Sequence, residues 1–513
     1  MNGAEALVRT GIDAGIKICF ANPGTTEIPL LEALDVVPGI RSVLGLFEGV
    51  CTGAADGYAR MTDKPALTLL HHGPGFANGI ANLHNARRAC SPIVNLIGEH
   101  ATWHIPADSP LTSDIAGLAR PVSAWVASPR TAPDLPAAFS DAIARSLVPP
   151  GQIASLIVPM DCLTGECPGP APVTAPNPLP GVRSRAVKRV AEALLQKKPS
   201  ALLLGGRALR SRGLRAAARI SASTGCTLFC GTFPARLERG AGVPAVERIP
   251  YFPEQALERL SAFAFLIIAG DRAPVSFFGY PGIPSTLVPD LCVPLTLAEP
   301  HEDVARALET LADELGPATG NAGAPFLRPQ PPCGGLTPRS MAEAIAAAQP
   351  EGLIVVDEAV TSGLPHFLIS AGLPPFTYLG HTGGSIGQGL PCAAGAALAC
   401  PDRRVLAFQA DGSAMYTAQA LWTYAREGLD VTTVICANRS YRILRIELER
   451  AGIAEPGPQA ASMTDLSHPE IKWVEIARGM GVPGVRVESA ESLNTQLTRA
   501  FAEPGPHLIE AIL

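Results

Sequence analysis

Short apolar runs alternate with helix-period patterns along most of this chain, and that alternation constrains its fold more than any other feature. In the first segment a helix is expected near Glu5 to Ala14, a strand near Lys17 to Ala21, and a second helix after the turn Asn22-Pro23-Gly24. A strand at Ser42 to Leu46, a helix beginning at Glu48 and a buried strand over Ala66 to His72 follow. The run SPIVNLIGE repeats the theme after a helix that contains Asn82 and Asn85. Strands joined through helices cannot pair by tight hairpins, so the pattern predicts a parallel sheet covered on both faces.

The pattern recurs twice. Runs at Leu353 to Glu358, Arg404 to Asp411, Val431 to Asn438 and the terminal HLIEAIL predict a second such sheet, and strands at Ala201 to Leu204 and Phe265 to Ile268 predict a third between them. Two proline-rich stretches, Leu163 to Val182 and Gly316 to Pro338, can continue neither helix nor central strand. They divide the 513 residues into expected domains 1–165, 183–315 and 338–513. A chain of this length should hold roughly three domains. The expected class is therefore α/β, with three doubly wound parallel-sheet domains.

Composition removes several function classes. Hydrophobic residues at 47% and charged residues at 17% exclude wholesale disorder. The net charge of -6, without a basic run, gives nucleic acid no phosphate-tracking surface. The twelve cysteines are scattered, and the lone pair Cys226 and Cys230 has no second pair to complete a zinc site, which fits a reducing compartment. Charges at Glu5, Arg9, Asp13 and Lys17 make the N-terminal segment an amphipathic helix rather than a signal peptide. No run reaches about 18 apolar residues, so no membrane span is expected and the location is read as cytoplasmic.

Chemistry concentrates in the third segment. Asp411, in Ala410-Asp411-Gly412-Ser413, and Asn438, in Ala437-Asn438-Arg439-Ser440, should lie at the carboxyl ends of neighbouring parallel strands, where open α/β sheets place ligands. A carboxylate, an amide oxygen and one backbone carbonyl there form half of an all-oxygen shell for Mg2+. The amides of Gly412 and Ser413 would point at an anion. Taken alone, Asp-Gly at a strand end is equally a turn device.

With these two anchors the sequence resembles the thiamine-diphosphate (ThDP) enzymes, whose signature runs from Gly-Asp-Gly to an Asn some 25 to 30 residues later. The blocks NPGTTE (Asn22 to Glu27), LFEGVCTGAADGYAR (Leu46 to Arg60) and LHHGPGFANG (Leu70 to Gly79) occur in family order, and the resemblance covers essentially the whole chain. It implies a pyrimidine-binding domain first, a Rossmann-like middle domain, and a diphosphate-binding domain last. The first blocks look most like benzoylformate decarboxylase, and the overall style is also similar to acetolactate-synthase large subunits.

The resemblance implies a role for each matching residue. Glu48 matches the glutamate that activates the cofactor through its aminopyrimidine ring. Ile386 matches the apolar wedge that bends the cofactor, and the Gly384 carbonyl its amine acceptor. Thr361, Gly412, Ser413 and Tyr441 match diphosphate contacts; Asp411, Asn438 and Ser440 match the Mg2+ ligands. His71 matches the proton-handling histidine and Thr25 a hydroxyl near the substrate carboxylate. His72 should point away from His71 if both lie on a strand. The implied reaction adds the cofactor to a 2-oxo acid and releases CO2; the product is then an aldehyde or a carboligation product. The implied active sites lie between subunits of a homodimer or homotetramer, with Glu48 of one chain facing Asp411 of another.

Several features depart from the family pattern. Ala410 and Ala437 replace a frequent Gly and Asn without removing a ligand. Phe277, Phe278 and Tyr280 stand where a second catalytic histidine of the benzoylformate type is expected. The middle segment has Gly205-Gly206 but no glycine-rich nucleotide fingerprint, so neither nicotinamide nor FAD is expected there. Apolar members of Arg442 to Ile446 would border the substrate and suit a hydrophobic 2-oxo acid. The reading from a different class is a catalytically silent regulatory or structural subunit with the same fold.

Overall fold

The computed structural model describes residues 1–176, 178–317 and 323–513; residue 177 and residues 318–322, in the two proline-rich linkers, lie outside the described residues. Three sheets form. The first holds six parallel strands in the spatial order Arg41–Leu44, Ile18–Asn22, Ala66–Leu70, Ile93–Glu99, Ile153–Pro159, Trp125–Ala127. The middle sheet holds five, ordered Glu247–Arg248, Thr227–Cys230, Ser200–Leu204, Phe265–Ala269, Val293–Ala298, again all parallel.

The last sheet runs Gly484–Val487, His507–Ile512, Val431–Ala437, Val405–Ala410, Ile354–Glu358, Phe376–Gly380 and finally Leu237–Arg239. That last strand comes from the middle segment and pairs antiparallel with Phe376–Gly380. A purely parallel third sheet was the expectation; the middle segment closes its open edge instead, which removes a row of unpaired backbone groups.

Alternation along the strands decides how the domains stack. On the strand Ile354–Glu358, Ile354 and Val356 share an apolar cluster with first-domain residues such as Ile97 and Leu83, whereas Val355 shares one with middle-domain residues such as Ile267 and Leu214. Val405 and Ala407 follow the first set; Leu406 and Phe408 follow the second. Successive side chains point to opposite faces. The third sheet is thereby sandwiched between its two neighbours.

The helix Glu48–Thr62 meets the helix Gly389–Ala399 at backbone distance. A Cβ on Gly57 would lie 2.0 Å from the Cys392 carbonyl oxygen, and one on Gly395 only 1.9 Å from that of Ala54, so both positions require glycine. Beside this contact a buried ion pair joins all three domains. Arg60 donates from Nε to Asp56 Oδ1 (2.8 Å) and from Nη2 to Asp56 Oδ2 (2.6 Å). It also donates to the Gly380 and Ala235 carbonyls and to Thr382 Oγ1. Asp56 further accepts from Ser91 Oγ and Gln388 Nε2. All five guanidinium donors are used.

His366 is fully buried between Phe376 and Phe408, and neither ring nitrogen has a hydrogen-bond partner. Burial, helped by Arg239, pushes its imidazole down to about 4. The unfolded chain therefore binds a proton that the folded one refuses, and stability falls as the pH drops from about 6.5 toward 4.

Two outcomes follow for thermal unfolding. Asp56→Leu should destabilise by about 3–5 kcal/mol because it strands the Arg60 charge, and Asp56→Leu with Arg60→Met should recover part of that loss. Equal midpoints for the single and double variants would contradict this. His366→Leu should reduce the fall in midpoint between pH 7 and pH 5, where the histidine costs about 2 kcal/mol.

Candidate active site

In both outer sheets the candidate residues emerge where strand order reverses, the place at which adjacent connections diverge and leave a crevice. In the first sheet this is between Ile18–Asn22 and Ala66–Leu70, whose last paired residues are Asn22 and Leu70. Thr25 and Glu27 follow the first strand and His71 the second. In the third sheet it lies between Ile354–Glu358 and Val405–Ala410, which Thr361 and Asp411 follow.

At the first crevice, Glu27 is fully buried and its carboxylate accepts from the Gly24 N–H (Oε2, 2.6 Å) and from Thr26 Oγ1 (Oε1, 2.7 Å). His71 Nδ1 lies 2.7 Å from Glu27 Oε2, and the ring stays 24% exposed. With its other neighbours all donors, Glu27 accepts from His71 Nδ1–H as well, which leaves Nε2 outside that bond. Glu48 opens its helix and accepts from Asn78 Nδ2 at 3.0 Å. A Cβ on Gly75 would stand 2.9 Å from Glu48 Oε1 and 3.4 Å from His71 Cβ, so the Glu48 carboxylate and the base of the His71 side chain both close in on this glycine.

The expected strand over Ala66 to His72 ends at Leu70. His71 caps the helix His72–Ala89, and His72 opens it in the left-handed region with φ 51°. The two rings therefore do not point to opposite faces; they meet edge to face with centroids 4.5 Å apart. The chain has to leave the sheet immediately before Gly73-Pro74, and Thr26, 3.0 Å from His72 Nε2, holds the turned ring. His72 is fully buried, whereas Thr25 is exposed at the rim.

At the other crevice, Asp411 is buried, with Oδ1 accepting from the Gly412 N–H (2.9 Å) and Oδ2 from the Arg439 N–H (2.6 Å). Burial pushes its carboxyl above the ordinary range. Asn438 Oδ1 accepts from the Ser440 N–H at 3.0 Å, while Ser440 Oγ donates to the Thr464 carbonyl. Asp411 and the side-chain oxygen of Asn438 are hard donors on adjacent strands, and a cation there would relieve the burial of the carboxylate. The ring of Tyr441 lies against Gly412, where a Cβ would be 2.5 Å from its Cε1.

The loop carrying Gly384 and Ile386 is fixed from both sides. Asn85 exchanges hydrogen bonds with the Ser385 backbone, and Asn82 donates to the Gly49 and Gly387 carbonyls. Glu358, buried and raised by that burial, accepts from the N–H groups of Gly387, Gln388 and Gly389. Gly384 has φ 79°, and a Cβ on it would lie 2.5 Å from Cζ of Phe277. Phe277 in turn packs with Phe233, Tyr251 and Phe278, so the middle domain brings an aromatic wall where a second histidine was expected. Val360 and Arg439 adopt φ of 48° and 53°; such strain in non-glycine residues gathers at functional sites.

Sequence reasoning did not single out Glu27, Glu99, His100 or Glu358. Each is an acid or imidazole ending an otherwise apolar run or closing a turn motif, and that placement was the available signal.

Residues 1–117 match the thiamine pyrophosphate enzyme N-terminal TPP-binding domain, and residues 367–511 the C-terminal TPP-binding domain of the same enzymes. The chain is 51% identical, over 100% of its length and 99% of the relative's, to a Mycobacterium tuberculosis protein provisionally named acetolactate synthase large subunit IlvX. It is 31% identical to the benzoylformate decarboxylase of Pseudomonas aeruginosa, with 97% and 96% of the two chains covered. Among solved structures, the ThDP-dependent 4-hydroxybenzoylformate decarboxylase of Rhodococcus jostii RHA1 superposes with a TM-score of 0.88 at 25% identity, covering 99% of this chain and 98% of that one. With both TPP-binding modules present and full-length relatives on either side, the chain belongs to the thiamine-diphosphate-dependent enzyme family that includes acetolactate synthase and benzoylformate decarboxylase.

Proposed function

We propose that the protein is a ThDP- and Mg2+-dependent decarboxylase of 2-oxo acids that carry an aromatic or bulky apolar substituent. The observation that carries this reading is the Glu27–His71 pair, a buried carboxylate holding a partly exposed imidazole, with the Glu48 carboxylate close by across Gly75. When bound, thiamine diphosphate supplies the nucleophilic carbon and the electron sink through which a 2-oxo acid loses CO2. Everything else falls to the chain.

Asp411, Asn438 and the Ser440 carbonyl would hold Mg2+, with Thr361, Gly412, Ser413 and Tyr441 around the diphosphate. Gly384 and Ile386 would seat the aminopyrimidine, and Glu48 would hold a proton against its ring nitrogen. Glu27 fixes the tautomer of His71, so that Nε2 can hold or deliver the proton that replaces CO2. His72, buried behind that ring, is a positioning residue, and Thr25 at the rim would meet the substrate carboxylate. Phe277 and its aromatic neighbours, with the apolar members of the helix Arg442–Arg450, favour a hydrophobic substituent. The active site would form between two copies of the chain.

The name of the 51% identical relative favours a second outcome, transfer of the acyl unit to another carbonyl. Product analysis separates the two. CO2 release from a panel of 2-oxo acids should require both ThDP and Mg2+, prefer phenyl or branched donors over glyoxylate and oxaloacetate, and yield the aldehyde; a hydroxyketone would make the protein a carboligase. Glu48→Gln should lower turnover by about 10²-fold or more, and unchanged turnover would point to the silent-subunit reading.

Glu27→Gln should lower kcat on the order of 10²-fold with KM little changed, and Glu27→Asp should recover part of it. A proportional rise in KM alone would mean that Glu27 only shapes the pocket.

A further inference from the structure

The end of the strand Ile93–Glu99 brings Glu99 and His100 against His72. Neither Glu99 nor His100 has a part in the reaction proposed above, and their arrangement follows from a chain of hydrogen-bond constraints. Thr26 Oγ1 donates its only proton to Glu27, so it can only accept from His72 Nε2. Nε2 therefore carries a proton, and Nδ1 is the nitrogen left for a further partner. That nitrogen is buried without a hydrogen-bond partner and stands 3.5 Å from Glu99 Oε1.

His72 Nδ1 and a Glu99 oxygen thus face each other in a buried setting, and the unpartnered nitrogen costs free energy until a proton or a metal cation occupies the gap. A third donor completes the set: one ring nitrogen of His100 lies within 4.8 Å of both the His72 and Glu99 ligand atoms. The 3.5 Å separation of Nδ1 and Oε1 matches the edge of a tetrahedron whose arms are about 2.1 Å, the length of a zinc–nitrogen or zinc–carboxylate bond.

We propose that His72, Glu99 and His100 form a three-ligand site for a borderline divalent transition metal such as Zn2+, with water in the fourth position. Two imidazoles and one carboxylate suit Zn2+ and not Mg2+, which keeps to oxygen ligands, so this site and the Asp411–Asn438 set select different ions. The neighbouring triplet Glu27, His71 and His72 is also compact. It is the poorer candidate because both Glu27 oxygens and His72 Nε2 are already engaged, whereas in the chosen set His72 Nδ1 has no hydrogen-bond partner and His100 Nε2 has the hydroxyl of Ser109 at 2.9 Å. Glu99 Oε1 accepts only from the His100 N–H, and a carboxylate oxygen can serve a metal as well.

The test is equilibrium titration of the metal-stripped protein with Zn2+, and separately with Co2+, in the presence of saturating Mg2+ and ThDP. A single equivalent of Zn2+ per chain is expected, and Co2+ should give the strong visible absorption of a four-coordinate site. His100→Ala and Glu99→Gln should each weaken Zn2+ binding by about 100-fold, while His301→Gln, at an exposed histidine of the middle domain, should leave it unchanged. Absence of saturable Zn2+ binding, a six-coordinate Co2+ spectrum, or unaltered affinity in folded His100→Ala would overturn the proposal. If neither substituted chain folds, the Co2+ spectrum of the unsubstituted protein decides it.

Discussion

The Asp56–Arg60 ion pair is the contact on which the rest of the molecule depends. It is almost wholly buried, so neither charge could remain there without its partner. Its geometry then dictates what must surround it. Five donors on a planar fork need five acceptors, and those come from Asp56 itself, the Ala235 and Gly380 carbonyls, and Thr382. One residue of the first domain thereby fixes the entry to the strand Leu237–Arg239 and the exit of the strand Phe376–Gly380. Gln388, which donates to Asp56, immediately follows the loop of Gly384 and Ile386. Domain stacking and loop position are one problem with one solution.

That solution also explains the glycines and small residues of the two central helices. Asp56 and Gly57 are consecutive, so the helix that carries the ion pair must approach the helix Gly389–Ala399 within backbone contact for Gln388 to reach Asp56. Any side chain at Gly57 or Gly395 would separate the helices by more than a hydrogen bond tolerates. The open ends of the first and third sheets are held in fixed relation by the same contact, and the candidate residues stand on those ends.

Much of this was legible in the sequence because it rests on periodicity and on motif order. The alternation of strand and helix located the sheets, and strand ends predicted from it placed Asp411 and Asn438 side by side. What escaped was decided by contacts distant in sequence. The antiparallel edge strand Leu237–Arg239 is only three residues long and is stabilised by a sheet from another domain. His72 looked like a strand residue because apolar alternation ran up to it, and only Thr26, 46 positions earlier, holds it in a left-handed turn. The segment after Asp411 folds as a one-turn helix Asp411–Ala414, a 3-10 turn Met415–Thr417 and the helix Ala420–Glu427, a division that periodicity alone does not reveal.

The acids around the two crevices differ in how much of their hydrogen-bonding capacity the fold consumes, and that difference separates those that hold the scaffold from those left with free lone pairs. An ionised carboxylate offers about four acceptor positions. Glu358 gives three to consecutive backbone N–H groups and so serves as the template for a loop that has no regular structure of its own. Glu27 also gives three, the last to a histidine, and is therefore both scaffold and orienter. Asp411 gives two, to the backbone at the ends of neighbouring strands, which fixes its direction while leaving lone pairs for a cation. Glu48 gives one, to the side chain of Asn78. A rigid loop and an unsaturated carboxylate make opposite demands on the same functional group, and this chain meets them by assigning the acids to separate positions around the two crevices, with Glu48 the least saturated of the four.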